Sequence, residues 1–338
     1  MNPEVEDDDQ KHADWQAPET GQTQDQAEKP TFRELLFKYV GGDIHVHREQ
    51  PPRLGADGYP RKRRESDYSL KELDGYAQKI DGGTGRLQFL VMADHAVPEE
   101  EKLLARQGEV NRFNAGKGEA GPRIIGAVET DIVGDQGEVN VSQEVLRKMD
   151  FAIASFHQTP EKFSPEQLTT IYRGAMANAD IDCLGHPSRD IGAETLSKMD
   201  WDAILQTAAS THTAIELDTW APLPDWLIKK AVDYKVPIMI GTDFHNLRRY
   251  RNLPEEKGMP KLTDAEEQAF KVVPDEDRRE ELDRRLEHGP GVRFWRQFAP
   301  ILETLYKAGA KPEQIISSSR ERLDNWLSRE KAERRLNG

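Results

Sequence analysis

Cysteine is nearly absent from this 338-residue chain: Cys183 stands alone, so no intrachain disulfide can form. That fits a reducing compartment, and a cytoplasmic location is expected. No apolar run approaches the length of a membrane span. The opening residues, "MNPEVEDDDQ", hold neither a basic n-region nor an apolar h-region, so neither secretion nor a membrane partner is expected. Positive charge is also in short supply, with 47 Lys and Arg against 61 Asp and Glu and a formal balance of −14. A chain this acidic exerts no global pull on nucleic acid, and binding there would need a local basic patch. The serine-hydrolase pattern Gly-x-Ser-x-Gly and the Walker A loop are both missing.

Aliphatic residues are scarce from 1 to 31, a stretch rich in Asp, Glu, Gln, Pro and Thr. Such a segment buries too little apolar surface to offset its ordering entropy, so an acidic, disordered tail is expected. The remainder, 32–338, alternates short apolar runs with helical stretches. In "SLKELDGYAQKI" the spacing of Leu70, Leu73, Ala77 and Ile80 predicts one buried helical face. A further helix is predicted from Ser164, with Pro165 in its first position and Gln167 completing a capping box. The apolar runs are the one ending at His45, then "LQFLVMADH", "RIIGAVETDI", "FAIASFH", "IDCLGHP", "TAIELDT" and "VPIMIGTDFH". Seven such runs separated by helices predict a parallel α/β sheet, open or closed into a barrel. A charged stretch near 247–290 is expected as a surface insertion, and two closing helices are expected over 293–335.

What those runs end in is more telling than the runs themselves. Six of the seven finish in a histidine, an acid or both: His45 and His47, Asp94 and His95, Glu129, His157, His186, and Asp243 with His245. Side chains two apart on a strand share a face, so His45 and His47 look the same way, as do Asp243 and His245. In (β/α) barrels the C-terminal strand ends converge on one mouth. One histidine at a strand end is more often a satisfied structural group than a ligand. Six strand ends of the same kind point instead to a metal centre, because buried charges are paired or coordinate metals. Imidazoles mixed with carboxylates suit Zn²⁺, Mn²⁺ or Fe²⁺. They are too nitrogen-rich for a dedicated Mg²⁺ or Ca²⁺ site. There are also more ligands than one ion can use, which predicts a cluster.

Between residues 42 and 245 the ordered motifs "DIHVH", "ADH", "GAVETDI", "ASFH", "LGHP" and "GTDFH" resemble the PHP (polymerase and histidinol phosphatase) family of metal-dependent phosphoesterases. Their spelling is most similar to the PHP domain attached to bacterial family X DNA polymerases. The resemblance implies a distorted (β/α)7 barrel and nine ligands holding three divalent ions. It implies that His45, His47 and Asp243 hold the first ion and that Glu129 bridges it to a second. His157 and His186 would complete the second, and His95 and His245 would hold the third. The ninth ligand is assigned to Asp67 of "SDYSLKEL", with Asp57 as the alternative. The sixth strand departs from the family pattern, reading Glu216-Leu217-Asp218 where Glu-x-Asn is common.

Hydrolysis of a phosphate ester by metal-bound hydroxide near Glu129 is therefore expected, with a phosphorylated small molecule or a nucleic-acid end as substrate. Arg189, just after "GHPS", is the phosphate-binding candidate, because a guanidinium fork matches phosphate oxygens. Arg48 is a weaker candidate, and the run Arg61 to Arg64 reads as a solvated loop. A phosphomonoesterase is the principal expectation. A 3′-5′ exonuclease or phosphodiesterase is the alternative, and a non-catalytic metal-binding module is the alternative of another class. Amidohydrolases share the His-x-His start but commonly use a bridging lysine carbamate, where this chain has Glu129.

Overall fold

All seven apolar runs are parallel strands in the computed structural model, which describes residues 30–47, 69–81, 85–118, 121–244, 294–295 and 297–330. They are β1 Gly42–Val46, β2 Phe89–His95, β3 Arg123–Asp131, β4 Phe151–Ser155, β5 Cys183–Gly185, β6 Ala214–Asp218 and β7 Ile238–Gly241. Each pairs with the next in chain order. Just beyond β7 the sheet meets its own start. Val46 pairs in parallel with Phe244, the His47 N–H donates to the Phe244 carbonyl at 2.8 Å, and the Phe244 N–H donates to that of His45 at 3.2 Å. The result is a nearly closed, distorted (β/α)7 barrel. The acidic tail, the segment 50–65 and the charged segment 247–290 fall outside the described residues.

Strand alternation divides the core in two. Phe89, Val91 and Ala93 of β2, Ile125 and Ala127 of β3, Phe151 and Ile153 of β4 and Met239 of β7 form the apolar floor inside the barrel. Residues of opposite parity, among them Leu90, Met92, Ile124, Val128 and Ile240, pack outward against the helices. Continuing the interior parity toward the strand ends reaches His95, Glu129 with Asp131, Ser155 and His157, and Asp243. An apolar floor therefore leads to a polar mouth along each of these strands.

The helices follow their sequence signals. In Leu70–Asp81 the residues Leu70, Leu73, Ala77 and Ile80 are buried, as their spacing predicts. Pro165–Ala177 begins at Ser164, whose side chain caps the Gln167 amide and whose own amide is capped in return. The second closing helix differs from expectation. Only Arg320–Asn325 is α-helical, continued by one wider turn over Trp326–Glu330, while 312–318 forms two 3₁₀ turns. The run Ser317-Ser318-Ser319 is the cause, since serine hydroxyls and backbone here find partners outside a helix. The Ser317 carbonyl accepts from the Gly41 N–H at 2.8 Å, its hydroxyl accepts from the Ile240 N–H at 3.0 Å, and Ser319 caps the helix that follows. Ile316, Leu323 and Trp326 then plug the barrel floor.

A buried carboxylate fastens the seam between β1 and β7. Asp43 Oδ1 accepts from the amides of His45 and Thr242, both at 3.0 Å, and Oδ2 accepts from the Thr242 hydroxyl. Burial pushes Asp43 up to about 7, against the lowering effect of these hydrogen bonds. An Asp43→Ala variant strands three buried donors, each costing about 1–3 kcal/mol. Its denaturant midpoint should fall well below wild type, and an unchanged midpoint would show that the seam closes without the clasp.

Candidate metal centre

Glu129 sits at the end of β3 with no solvent exposure. Its two carboxylate oxygens face different histidines. Oε2 lies 3.6 Å from His45 Nε2, 3.5 Å from His47 Nε2 and 2.9 Å from His95 Nδ1. Oε1 lies 3.3 Å from His157 Nε2 and accepts a hydrogen bond from His186 Nε2 at 2.9 Å. Asp243 adds a second carboxylate, with Oδ1 at 2.9 Å from His47 Nε2 and 3.5 Å from His45 Nε2. Seven of the nine sequence-predicted ligands are thereby brought together; Asp67 and His245, like the alternative Asp57, lie outside the described residues.

Two spatial groups could each hold an ion: His45, His47, Glu129 and Asp243, and separately His95, Glu129 and His157. His45 Nε2 and Glu129 Oε2 are buried, face each other and make no hydrogen bond. Two donors each about 2.1 Å from a tetrahedral ion stand about 3.4 Å apart. The 3.3–3.6 Å separations around Glu129 match that spacing and exceed an ordinary hydrogen bond. The donor set thus fits divalent metal. Glu129 is common to both groups, as the resemblance implies for a bridge. Among the described residues His95 shares a group with Glu129 and His157, while His245, its expected co-ligand, lies outside them.

The imidazoles are oriented from behind by carboxylates that sequence reasoning did not assign. His45 Nδ1 donates to Glu216 Oε1 at 2.9 Å, and Glu216 Oε2 accepts the His186 backbone amide at 2.8 Å. His157 Nδ1 donates to Asp131 Oδ1 at 2.6 Å. A carboxylate on the far nitrogen fixes which nitrogen is left for a metal. The signal for Asp131 is its place two after Glu129 on the same strand face. For Glu216 it is the parity it shares with Asp218. Two further site residues depart from ordinary backbone geometry: His186 has φ 24° and Asp243 has φ 44°. Non-glycine residues there cost about 1–3 kcal/mol each and cluster at functional sites.

Charge in the cluster is tightly balanced. Burial works to raise Glu129, but the His45 charge and the facing His157, His186 and His45 rings hold it well below the usual carboxylate range. Burial works to lower His45, yet Glu216, Glu129 and Asp243 carry it well above an ordinary imidazole. His157, opposed by burial, is raised to about 10 by its hydrogen bond to Asp131 and by the nearby Glu129 carboxylate. Arg189 stands at the mouth, its guanidinium paired with Asp243 through Nη1 and with Asp218 through Nη2. Asp94 takes the opposite parity from His95 and is directed at Arg106, 3.8 Å away, outside the cluster. Arg48 and Arg61 to Arg64 lie outside the described residues.

No protein-family model matches the chain. Over 137 residues, 37% of this chain, it is 28% identical to a protein named "Probable phosphatase" from Syntrophotalea carbinolica, 54% of which is covered. A protein of the same description from Caldanaerobacter subterraneus is 26% identical over 138 residues, 37% of this chain and 52% of that one. Another, from Vibrio atlanticus, is 31% identical over 100 residues, 28% of this chain and 37% of its own length. The chain spans about half the length of the first two of these relatives. A solved histidinol phosphate phosphatase from Lactococcus lactis, complexed with zinc, L-histidinol and phosphate, covers 62% of this chain and 86% of its own at 15% identity. Its TM-score of 0.36 is too low to carry an inference.

Proposed function

We propose that this chain is a PHP-type, metal-dependent phosphoesterase that hydrolyses phosphomonoesters of small molecules. The observation that carries the reading is the Glu129 carboxylate, buried at the centre of five imidazoles, three of them at the 3.3–3.6 Å spacing of two donors on one ion. His45, His47, Glu129, Asp243, His95, His157 and His186 would hold divalent ions, with Asp67 and His245 completing a three-ion set by sequence. Bound there, Zn²⁺, Mn²⁺ or Fe²⁺ supplies a Lewis acid and lowers the pKa of water. The protein's part is placement. Glu129 joins the two ligand groups, and Glu216 and Asp131 lock the rings of His45 and His157. Arg189 offers a guanidinium fork at the mouth, where a phosphate dianion competes with Asp218 for it.

The test is hydrolysis of p-nitrophenyl phosphate beside its bis-ester by Mn²⁺-reconstituted protein. Monoester turnover that disappears in His157→Ala supports the proposal. Preference for the bis-ester moves the reading to a phosphodiesterase, and a folded, metal-loaded protein that cleaves neither favours a binding module.

Metal affinity should also depend on pH. The carboxylates favour the protonated forms of His45 and His157 over the neutral ones. An ion must displace those protons, so affinity should climb between pH 6 and 9 by about one decade per pH unit for each proton released. Calorimetry in two buffers of different ionisation enthalpy measures the release, and identical heats in both would contradict it.

A further inference from the structure

Trp201, Trp295 and Trp326 are at most 2% exposed, whereas Trp220 is 59% exposed. Trp220 lies two residues beyond Asp218 in the segment that follows β6, which puts its Cα within about 7 Å of that of Asp218. Asp218 in turn holds Arg189, and Arg189 holds Asp243. The backbone around the indole is anchored on several sides. The Trp220 N–H donates to Asp218 Oδ1 at 2.9 Å, the Thr219 N–H to the Gly241 carbonyl at 3.0 Å, and the Ser188 hydroxyl to the Ala221 carbonyl at 3.1 Å. Leu223 is buried a few residues on. A fixed main chain thus carries a large, exposed aromatic residue two positions from the carboxylate that holds Arg189.

Core packing does not account for so exposed an indole, while a flat π face on an anchored backbone near an anion-binding fork is what ring recognition needs. We propose that Trp220 selects the organic part of the substrate, stacking an aromatic or heteroaromatic ring while Arg189 and the ligand cluster take the phosphoryl end. This rests on the phosphoester reading above. A cationic head group suits the position less well, because Arg189 cancels the attraction of Asp218.

Binding of phenylphosphonate and methylphosphonate to the full-length, Mn²⁺-loaded protein, measured by calorimetry, tests this without turnover. Wild type should prefer the phenyl compound by about tenfold or more, the scale of aromatic stacking in other sites. Trp220→Ala should bring the ratio close to one, and Trp220→Phe should keep most of it. Thermal unfolding of each variant checks that it folds, as expected for so exposed a position. A wild-type ratio near one, or a tenfold ratio that survives Trp220→Ala, overturns the inference while leaving the phosphoester reading intact. Tighter binding of phosphocholine than of phenylphosphonate overturns it in favour of a cationic group. If neither phosphonate binds, the phosphoester reading fails and this inference fails with it.

Discussion

Glu129→Gln, reconstituted with Mn²⁺, should lose about 10³-fold in p-nitrophenyl phosphate turnover while remaining folded. The size of the effect follows from the carboxylate's position. Glu129 is the one ligand common to both groups that could hold an ion among the described residues, and its Oε2 faces His45 Nε2 at 3.6 Å. A metal's stabilisation of transition-state charge is worth several kcal/mol, and about 4 kcal/mol corresponds to about 10³ in rate. Glutamine keeps the volume and one acceptor oxygen but cannot offer an anionic oxygen to each side. Metal content per chain, measured by mass spectrometry, should drop together with the rate. Wild-type turnover at wild-type metal content would remove Glu129 from the centre of the mechanism. Glu129→Ala should be harsher, because it also strands the buried His186 ring N–H that Glu129 Oε1 accepts, at a cost of about 1–3 kcal/mol.

Glu216→Ala should weaken metal binding by about 10–100-fold and destabilise the protein as well, although Glu216 belongs to neither ligand group. Its two oxygens do different work: one holds the His45 ring by Nδ1, the other holds the His186 backbone amide. Loss of the first frees the ring to turn its Nε2 away from Glu129, the usual consequence of removing a carboxylate behind a ligating histidine. Loss of the second strands a buried amide at a residue whose φ is already 24°, costing about 1–3 kcal/mol. Glu216→Gln should fall between, since it retains an acceptor and loses the charge. Gly241 shows how closely the carboxylate is cradled, because a Cβ there would come within 2.2 Å of Glu216 Oε1 and 2.8 Å of His45 Cβ. Metal titration and thermal unfolding of the two variants separate the positional effect from the electrostatic one. Equal affinity in wild type and Glu216→Ala would show that the His45 ring is held by other means.

The barrel was legible because parallel strands buried on both faces are written as unbroken apolar runs, and all seven runs became strands. The candidate ligands were legible because six of the seven runs stop at a residue that an apolar environment would not accept alone. Carboxylates such as Glu216, Asp131 and Asp43 were harder to place. A strand acid can turn to solvent, to a ring nitrogen or to a neighbouring amide, and only the register of adjacent strands decides. His95 and Glu129, for instance, are direct partners across β2 and β3. The pairing of Arg189 with Asp218 and Asp243 joins three separate loops, and no local pattern announces it. His186 precedes Pro187, a position that favours extended backbone, so its positive φ runs against local preference and is imposed by its surroundings. The closing segment misled for a related reason: helical spacing of apolar residues continues through Ser317 to Ser319, while the Ser317 carbonyl is claimed by Gly41 and its hydroxyl by Ile240.

The Asp43–Thr242 clasp joins residues 199 apart in the chain, and the contact of His47 with Asp243 spans 196. The ligand group of His45, His47 and Asp243 therefore straddles the line where the earliest of the described strands meets the latest. A growing chain can carry most of its imidazoles long before it has anywhere to put an ion. Nothing short of the finished circuit assembles that half of the centre. Ion capture then serves as proof of completion: a chain that traps metal in this group has, by that act, brought its two ends of the sheet together.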